Sequence, residues 1–582
     1  MMHRSPNPRA TRLRATLAAC YAATLLVALP THAESPLWKV GVATEVITPE
    51  APMWMGGYAA RTEPAEGKIH DLHAKALAFE DNHRSRCVVV TTDLIGIPRT
   101  LRDHVAAEAS HRFDLPADSL LLNASHTHCG PEVRFDKANL YAIPADQIAK
   151  VDQYAQRLQE KLVALIGRAI ADLEPARIGY THGRAGFATN RRLPTASGFI
   201  NRPYADGPVD HDVPVLRVTT PDGQLRGLLF GYACHNTTLS FQQFCGDYAG
   251  FAQAALEHAH PGCVALFLAG CGGDQNPQPR GRLELARLHG QTLAAAVEAA
   301  LLSPVLPITG PLRTELEIVP LEFADPPTRE ELERQAKSRD RYDRRHAEAL
   351  LHKLDEDGQL ERTYPYPVQV IRFGSDLLLV ALAGETVVDY ALRLKQQFAG
   401  PRVWVAGYSN DVFAYIPSRR VLLEGGYEAG RAMRYTTLPG PWTPAVEETV
   451  VAAVERLAQK TATDRTVRAA DRKNLFQARP FTSKGSFTKG IEGPACDQAG
   501  NVFAVNFARQ QTIGRVTPDG NAEVYVTLPG SSVGNGIRID RRGTLLIADY
   551  PNHNILRVDP RTRKIDVFAH SDEMHQPNDL AM

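Results

Sequence analysis

From Trp38 to about Leu457, short apolar runs bounded by polar or glycine residues alternate with stretches whose apolar residues recur every three or four positions. The first pattern predicts buried strands over Cys87–Leu94, Ser119–Asn123, Val213–Thr219, Val264–Ala269 and Val368–Phe373. The second predicts helices over Asp146–Leu173, Leu283–Leu301 and Val387–Phe398. Strands interleaved with helices give an α/β (α+β) fold with a mixed sheet at its core. Thr328–Asp357 has helical character but few apolar positions and many charges, which predicts a solvated helical excursion.

Four apolar runs end on, or shortly before, a side chain able to bind a metal ion. Leu120-Leu121-Leu122 leads to His126, Leu228-Leu229-Phe230 to His235, Leu377–Ala383 to Glu385, and Val403-Trp404-Val405 towards Tyr415. Sites in sheet proteins gather where strands stop and loops begin. The expectation is one metal centre assembled from distant parts of the chain. His126-Thr127-His128 adds a second histidine two residues on, which in extended backbone points to the same side as the first.

Composition narrows the class. The 582 residues carry 65 basic and 65 acidic side chains, and 44% are hydrophobic, enough for more than one core. Neutral net charge gives no hint of a nucleic-acid partner, no basic tract with interleaved aromatics appears, and none is expected. Arg4, Arg9, Arg12 and Arg14 precede the apolar stretch Ala15–Pro30, and Thr31-His32-Ala33 offers a cleavage site, so residues 1–33 read as an export signal and the mature protein as secreted or periplasmic. Leu17-Ala18-Ala19-Cys20 resembles a lipobox, but only two residues separate it from Arg14, and cleavage near Ala33 is the better reading. Seven cysteines remain after Ala33, too few and too scattered for a disulfide scaffold. Cys129, Cys234 and Cys271 read as small buried thiols.

The chain changes style after residue 459. Residues 460–489 are polar and basic, as expected of a linker, and residues 490–582 carry a repeat. Asp497-Gln498-Ala499-Gly500 before Val502-Phe503-Ala504-Val505 recurs 43 residues later as Asp540-Arg541-Arg542-Gly543 before Leu545-Leu546-Ile547-Ala548. Short strands at that period predict β-propeller blades. Glu492, Asn535 and Asn578 share the spacing, which would bring them to one axial mouth. Glu492-Gly493-Pro494, Asn535-Gly536 and Pro577-Asn578-Asp579 resemble the gluconolactonase/SMP-30 family, which implies a divalent-cation site. A closed propeller needs at least about four blades, so the segment is expected to be an incomplete propeller with an incomplete site, holding calcium only if further blades were present.

The motifs of residues 34–459 carry a second resemblance. His126-Thr127-His128-Cys129-Gly130-Pro131, Tyr232-Ala233-Cys234-His235-Asn236-Thr237-Thr238, Gly246-Asp247-Tyr248, Gly270-Cys271-Gly272-Gly273-Asp274-Gln275-Asn276-Pro277 and Gly384-Glu385 follow the order and spacing of the neutral (non-lysosomal) ceramidases. The resemblance implies a zinc amidase that cleaves the N-acyl bond of ceramide or a related lipid amide by attack of a zinc-bound water. It assigns the zinc ligands to His126, His235, Glu385 and Tyr415. It gives His128, Arg191 and Tyr427 catalytic or substrate-contacting roles, and leaves room for peripheral contact with a membrane surface. Two departures stand out. Asn276 occupies the family's serine position, and an amide cannot form an acyl-enzyme, so any hydrolysis must rely on water. Glu132 adds a carboxylate expected near the pocket mouth, and the family's C-terminal immunoglobulin-like domain is not recognised. A catalytically impaired binding protein with a propeller module, and a lactonase or other hydrolase of a non-lipid substrate, are the alternatives. Asp93 and Asp274 are read either as carboxylates orienting the ligand histidines or as turn caps. The glycosylation triplets Asn123-Ala124-Ser125 and Asn236-Thr237-Thr238 fall inside the site and are read as coincidence.

Overall fold

A computed structural model describes residues 38–134, 137–398, 402–462, 482, 486–488, 493–497, 499–540, 542–574, 577 and 580. The segment expected to be an export signal, most of the expected linker, Glu492 and Asn578 lie outside the described residues. The chain divides into two compact units, residues 1–464 and 465–582.

The first unit is built on two mixed sheets. The larger runs in the order Val264–Ala269, Leu225–Tyr232, Asp212–Thr219, Glu174–Arg184, Trp38–Val46, His73–Glu80, Arg86–Thr92 and Leu120–Ala124, with Leu306–Ile308 added to Glu174–Arg184. Its two outermost pairs are parallel, and the pairs between them antiparallel. The smaller sheet runs Leu312–Glu322, Thr363–Phe373, Leu377–Leu382 and Arg402–Ala406.

Side-chain alternation decides how these sheets stack. In Arg86–Thr92, Val88 and Val90 face a core shared with the helices Arg99–Phe113 and Ala145–Ala171, while Cys87 and Val89 face Leu379 and Trp404 of the smaller sheet. The smaller sheet turns Val368, Val370, Leu378 and Val380 the other way, against the helices Val388–Gln397 and Val446–Lys460. The layers are therefore helix, sheet, sheet, helix, and the strands buried on both faces are continuously apolar for that reason. Ala145–Ala171 buries Val151, Ala155, Leu158, Leu162, Leu165 and Ala169, the three-and-four spacing of one helix face.

The excursion expected as one helix over Thr328–Asp357 is two, Arg329–Gln335 and Arg341–Asp357. The break follows from capping. Thr328 and Glu331 form a capping box for the first, and the Asp340 carboxylate accepts the Tyr342 N–H to open the second. Leu332, Ala347, Leu350 and Leu360 give the pair a small core of its own.

The second unit contains two four-stranded antiparallel sheets, Ala495–Cys496, Val502–Val505, Thr512–Val516 and Ala522–Thr527, then Gly534–Ile539, Leu545–Asp549, Asn554–Val558 and Ile565–His570. The sequence repeat has a local cause. Asp497 accepts the N–H groups of Ala499 and Asn501, and Asp540 those of Arg542 and Thr544, while Gly500 and Gly543 take φ of 81° and 83° in the same turn. Phe503, Ile513, Ile537, Ile547 and Leu556 form its core. Asn535 opens the second sheet, within Gly534–Ile539.

Candidate metal centre

Strand ends do bring the site together. Leu120–Ala124 stops two residues before His126, and Leu225–Tyr232 stops three before His235. Glu385 and Tyr415 face each other in a short parallel bridge, Glu385–Thr386 with Tyr415–Ile416. Gly384 makes that bridge possible. Its φ is +68°, and a Cβ there would lie 2.7 Å from the Ala414 carbonyl oxygen. His126 itself has φ of 60°, so the backbone between His126 and His128 is not extended. The two rings converge through a turn, correcting the alternation argument drawn from the sequence.

Backbone carbonyls fix both His126 and His235. His126 Nδ1 lies 2.6 Å from the Ile95 oxygen and His235 Nδ1 2.6 Å from the Gly272 oxygen. A carbonyl only accepts, so each Nδ1 carries the proton and each Nε2 presents a lone pair. Both lone pairs meet Glu385: its Oε2 is 3.2 Å from each Nε2, buried, and without a hydrogen-bond donor. Tyr415 Oη is 3.3 Å from His235 Nε2. Ligands about 2.0–2.1 Å from a tetrahedral ion sit about 3.3 Å apart, and a buried carboxylate oxygen with no donor is costly unless a cation faces it. The donor set and its spacing fit a metal ion.

His126, His128 and His235 also form a group whose ring nitrogens lie within 4.8 Å of one another. His128 Nε2 is 3.2 Å from His126 Nε2, but its Nδ1 has no partner. Ligating histidines ordinarily donate their second nitrogen to an anchoring acceptor; His126 and His235 each have such an acceptor and His128 does not. His128 is held by shape instead. Gly57 packs so closely that a Cβ would lie 2.5 Å from its Cγ, Tyr58 meets it edge-on at 4.7 Å, and Arg61 Nη2 donates to its carbonyl at 2.8 Å. Burial first, then the neighbouring His126 and His235, push the His128 pKa well below 6.5. Burial and Arg191 bring His235 to about 4, so both are neutral at neutral pH.

Arg191 ties the Tyr415 side of the site together. It donates from Nη2 to Tyr415 Oη at 3.0 Å, from Nε to Glu428 Oε1 at 2.8 Å and from Nη1 to Asn276 Oδ1 at 3.3 Å. Burial opposes its charge, but Tyr415 and Glu428 hold the guanidinium protonated. Glu428 also takes Arg192 at 2.6 Å. A cavity of about 360 Å³ is lined by His126, His128, Glu385, Tyr415 and Tyr427 among others. Arg191 is off its wall, so it acts through Tyr415 and, by its cation–π contact at 5.6 Å, Tyr427 rather than by touching the cavity.

Several sequence expectations change. Asp93 accepts His73 N–H and Gln253 Nε2, and Asp274 accepts Val388 N–H and Asn190 Nδ2. Both hold local structure, and neither orients a ligand histidine. Glu132 is fully buried and binds Arg134 through both oxygens, so it is no free carboxylate at the mouth. Asn123 and Asn236 are fully buried, which leaves both glycosylation triplets without an accessible acceptor. Cys129, Cys234 and Cys271 are buried thiols. The charged excursion is not merely solvated, because Tyr342 lines the cavity and donates to the Ala59 carbonyl at 2.9 Å. Ile95, Gly272, Tyr408 and Glu428 went unassigned. Tyr408 packs its ring 4.4 Å from His126, and none of the four carries a local sequence signal for that place.

Fold and donor set together define an α/β sandwich with a buried histidine, carboxylate and phenol centre. Residues 38–282 match the family description "Neutral/alkaline non-lysosomal ceramidase, N-terminal". Neutral ceramidase A of Dictyostelium discoideum is 28% identical over 264 residues, covering 42% of this chain and 36% of that protein. Neutral ceramidase of Mycobacterium tuberculosis is 24% identical over 272 residues, covering 42% and 41%. The alignments thus span well under half of either relative. The crystal structure of neutral ceramidase from Pseudomonas aeruginosa shares the fold, with a TM-score of 0.57 at 21% identity over 92% of this chain and 98% of that one.

Proposed function

We propose that the first unit is an exported, zinc-dependent hydrolase of amide bonds, with N-acyl sphingoid lipids as its first substrate class. The observation that carries this reading is the pair of Nε2 lone pairs of His126 and His235 converging on the unpartnered Oε2 of Glu385. The match of residues 38–282 to the ceramidase family description supports the amide chemistry. His126, His235, Glu385 and Tyr415 would hold the ion, a nitrogen and oxygen set suited to zinc. Bound there, the ion would supply Lewis-acid activation of water and of the amide carbonyl.

The chain's own residues account for the rest. As water adds to the carbonyl carbon and the C–N bond breaks, one water proton has to reach the leaving nitrogen. His128 is neutral, lines the cavity and sets its Nε2 3.2 Å from His126 Nε2, so it is the group placed to hold that proton. Arg191 keeps Tyr415 aimed and lends positive charge where negative charge develops on the carbonyl oxygen, with Tyr427 on the same wall. Asn276 uses its amide oxygen to accept from Arg191 and offers no nucleophile.

A panel of lipid and soluble amides assayed with and without chelator tests the proposal. Turnover that survives complete chelation refutes the metal, and cleavage of soluble amides alone removes the lipid. Metal retention with no turnover on any amide would move the protein to the binding class.

A further inference from the structure

The cavity at the metal site has a neighbour. A second cavity of about 320 Å³ shares Arg134, Phe413 and Thr436 with it as wall residues. Phe413 lies two residues before Tyr415 and stacks on Tyr364 with ring centroids 3.8 Å apart. The partition between the two spaces therefore includes a half-buried aromatic side chain that belongs to both.

Charges on the wall of the second space cancel in pairs. Arg99 Nη2 donates to Asp411 Oδ2 at 2.8 Å, and Tyr364 Oη donates to the same oxygen at 2.7 Å. Arg134 is held by both oxygens of Glu132, each at 2.8 Å. Besides Thr100, Thr436 and Thr437, what remains is the apolar surface of Pro98, Tyr364, Val412, Phe413 and Leu438. A cavity without net charge and with such walls suits hydrocarbon better than an anion.

We propose that this cavity is a branch of the substrate cleft that takes one hydrocarbon limb of an N-acyl amide, while the other limb leaves through the main cavity. The inference rests on the amide-hydrolase reading. An amide joins two limbs at the bond to be broken, and that bond has to sit beside His126, Glu385 and Tyr415. A substrate with two long limbs then needs two separate routes away from one point, and the two spaces that share Phe413 as a wall are placed to supply them. Each methylene buried in the branch is expected to tighten binding about fourfold.

Thr437→Trp and Thr100→Trp test it, since both positions line the branch, neither touches the metal site, and only Thr100 lies on a helix, Arg99–Phe113, with Thr437 in a loop distant in sequence. Kinetics are measured on N-acyl amides whose acyl and amine limbs are lengthened separately. In the unmodified protein KM should fall as each limb grows. In both variants the gain from one limb should vanish, raising KM for the long form of that limb at least about tenfold, with short-limbed amides within about twofold of the unmodified protein. Unchanged KM for every substrate, or equal losses for short and long limbs, overturns the branch while chelator-sensitive cleavage keeps the hydrolase reading intact. If no amide is cleaved, that reading fails on its own, and equilibrium binding of a long-limbed N-acyl amide decides the branch. Equal affinity for variants and unmodified protein overturns it, and a loss of about tenfold supports it.

Discussion

Nε2 of His126 faces Oε2 of Glu385 at 3.2 Å, and neither atom carries a proton for the other. The His126 proton is committed to the Ile95 carbonyl, so two lone pairs meet in a buried space. A cation between them turns repulsion into coordination. Purified protein should therefore hold about one zinc ion per chain, and His235→Ala or Glu385→Gln should lose it. Metal content left unchanged by both substitutions would reject the ligand set.

His128 separates a ligand from a proton carrier. Its free Nδ1 predicts that His128→Gln keeps the metal while turnover falls by roughly 10²- to 10⁴-fold, the usual worth of a positioned acid or base. Elemental analysis and kinetics on the same preparation read both quantities. Loss of metal together with turnover would place His128 among the ligands, as the three-histidine grouping allows.

How much of this could be read from the chain depends on range. Leu120–Leu122, Leu228–Phe230 and Leu377–Ala383 are continuously apolar because both faces of their strands are buried, so their ends, and with them His126, His235 and Glu385, stand out. The carbonyls of Ile95 and Gly272 could not be found this way, since every residue has one and only folding selects which meets an imidazole. Nor could Tyr342, whose helix starts at a polar cap in a charged stretch and whose place on the cavity wall depends on where that helix docks.

Glu428 bridges Arg191 and Arg192, with all three side chains buried. Glu428→Gln leaves two guanidinium groups facing a neutral amide. Removing one partner of a buried ion pair costs about 3–5 kcal/mol, and denaturant unfolding of the first unit should register a loss of that order. Tyr415 loses its fixed partner with Arg191, so turnover should fall as well. A variant as stable as the unmodified protein would mean that water replaces the carboxylate, which the burial of this network argues against.

The pH dependence has a definite sign. Burial and Arg191 hold His235 at about 4 in the folded chain, against an ordinary 6.5. Between those values the unfolded chain binds the proton and the folded one does not, so stability is present above about 6.5 and lost as pH falls towards 4. In metal-free protein the full effect is on the order of 3 kcal/mol. Melting curves of unmodified protein and His235→Gln across that window should converge as the pH drops. Parallel curves would mean that His235 titrates normally.

The two units keep separate cores. Each hydrophobic cluster among the described residues lies wholly within one unit, and that of the second draws only on residues between Ala495 and Ile565. A fragment of residues 38–462 should accordingly fold alone, hold its metal and unfold at the same denaturant concentration as the first transition of the whole chain. Proteolysis within residues 473–489 should release it intact. We propose that the second unit gains no stability from calcium, because the two four-stranded sheets among its described residues fall short of the at least about four blades that a closed propeller needs. Its strand Ile565–His570 is an edge of the second sheet and leaves Val567 and Phe568 54% and 56% exposed, a surface that favours self-association. Light scattering of the isolated second unit should rise with concentration, and a fragment that stays monomeric and melts higher in calcium would show a more complete propeller than its two sheets provide.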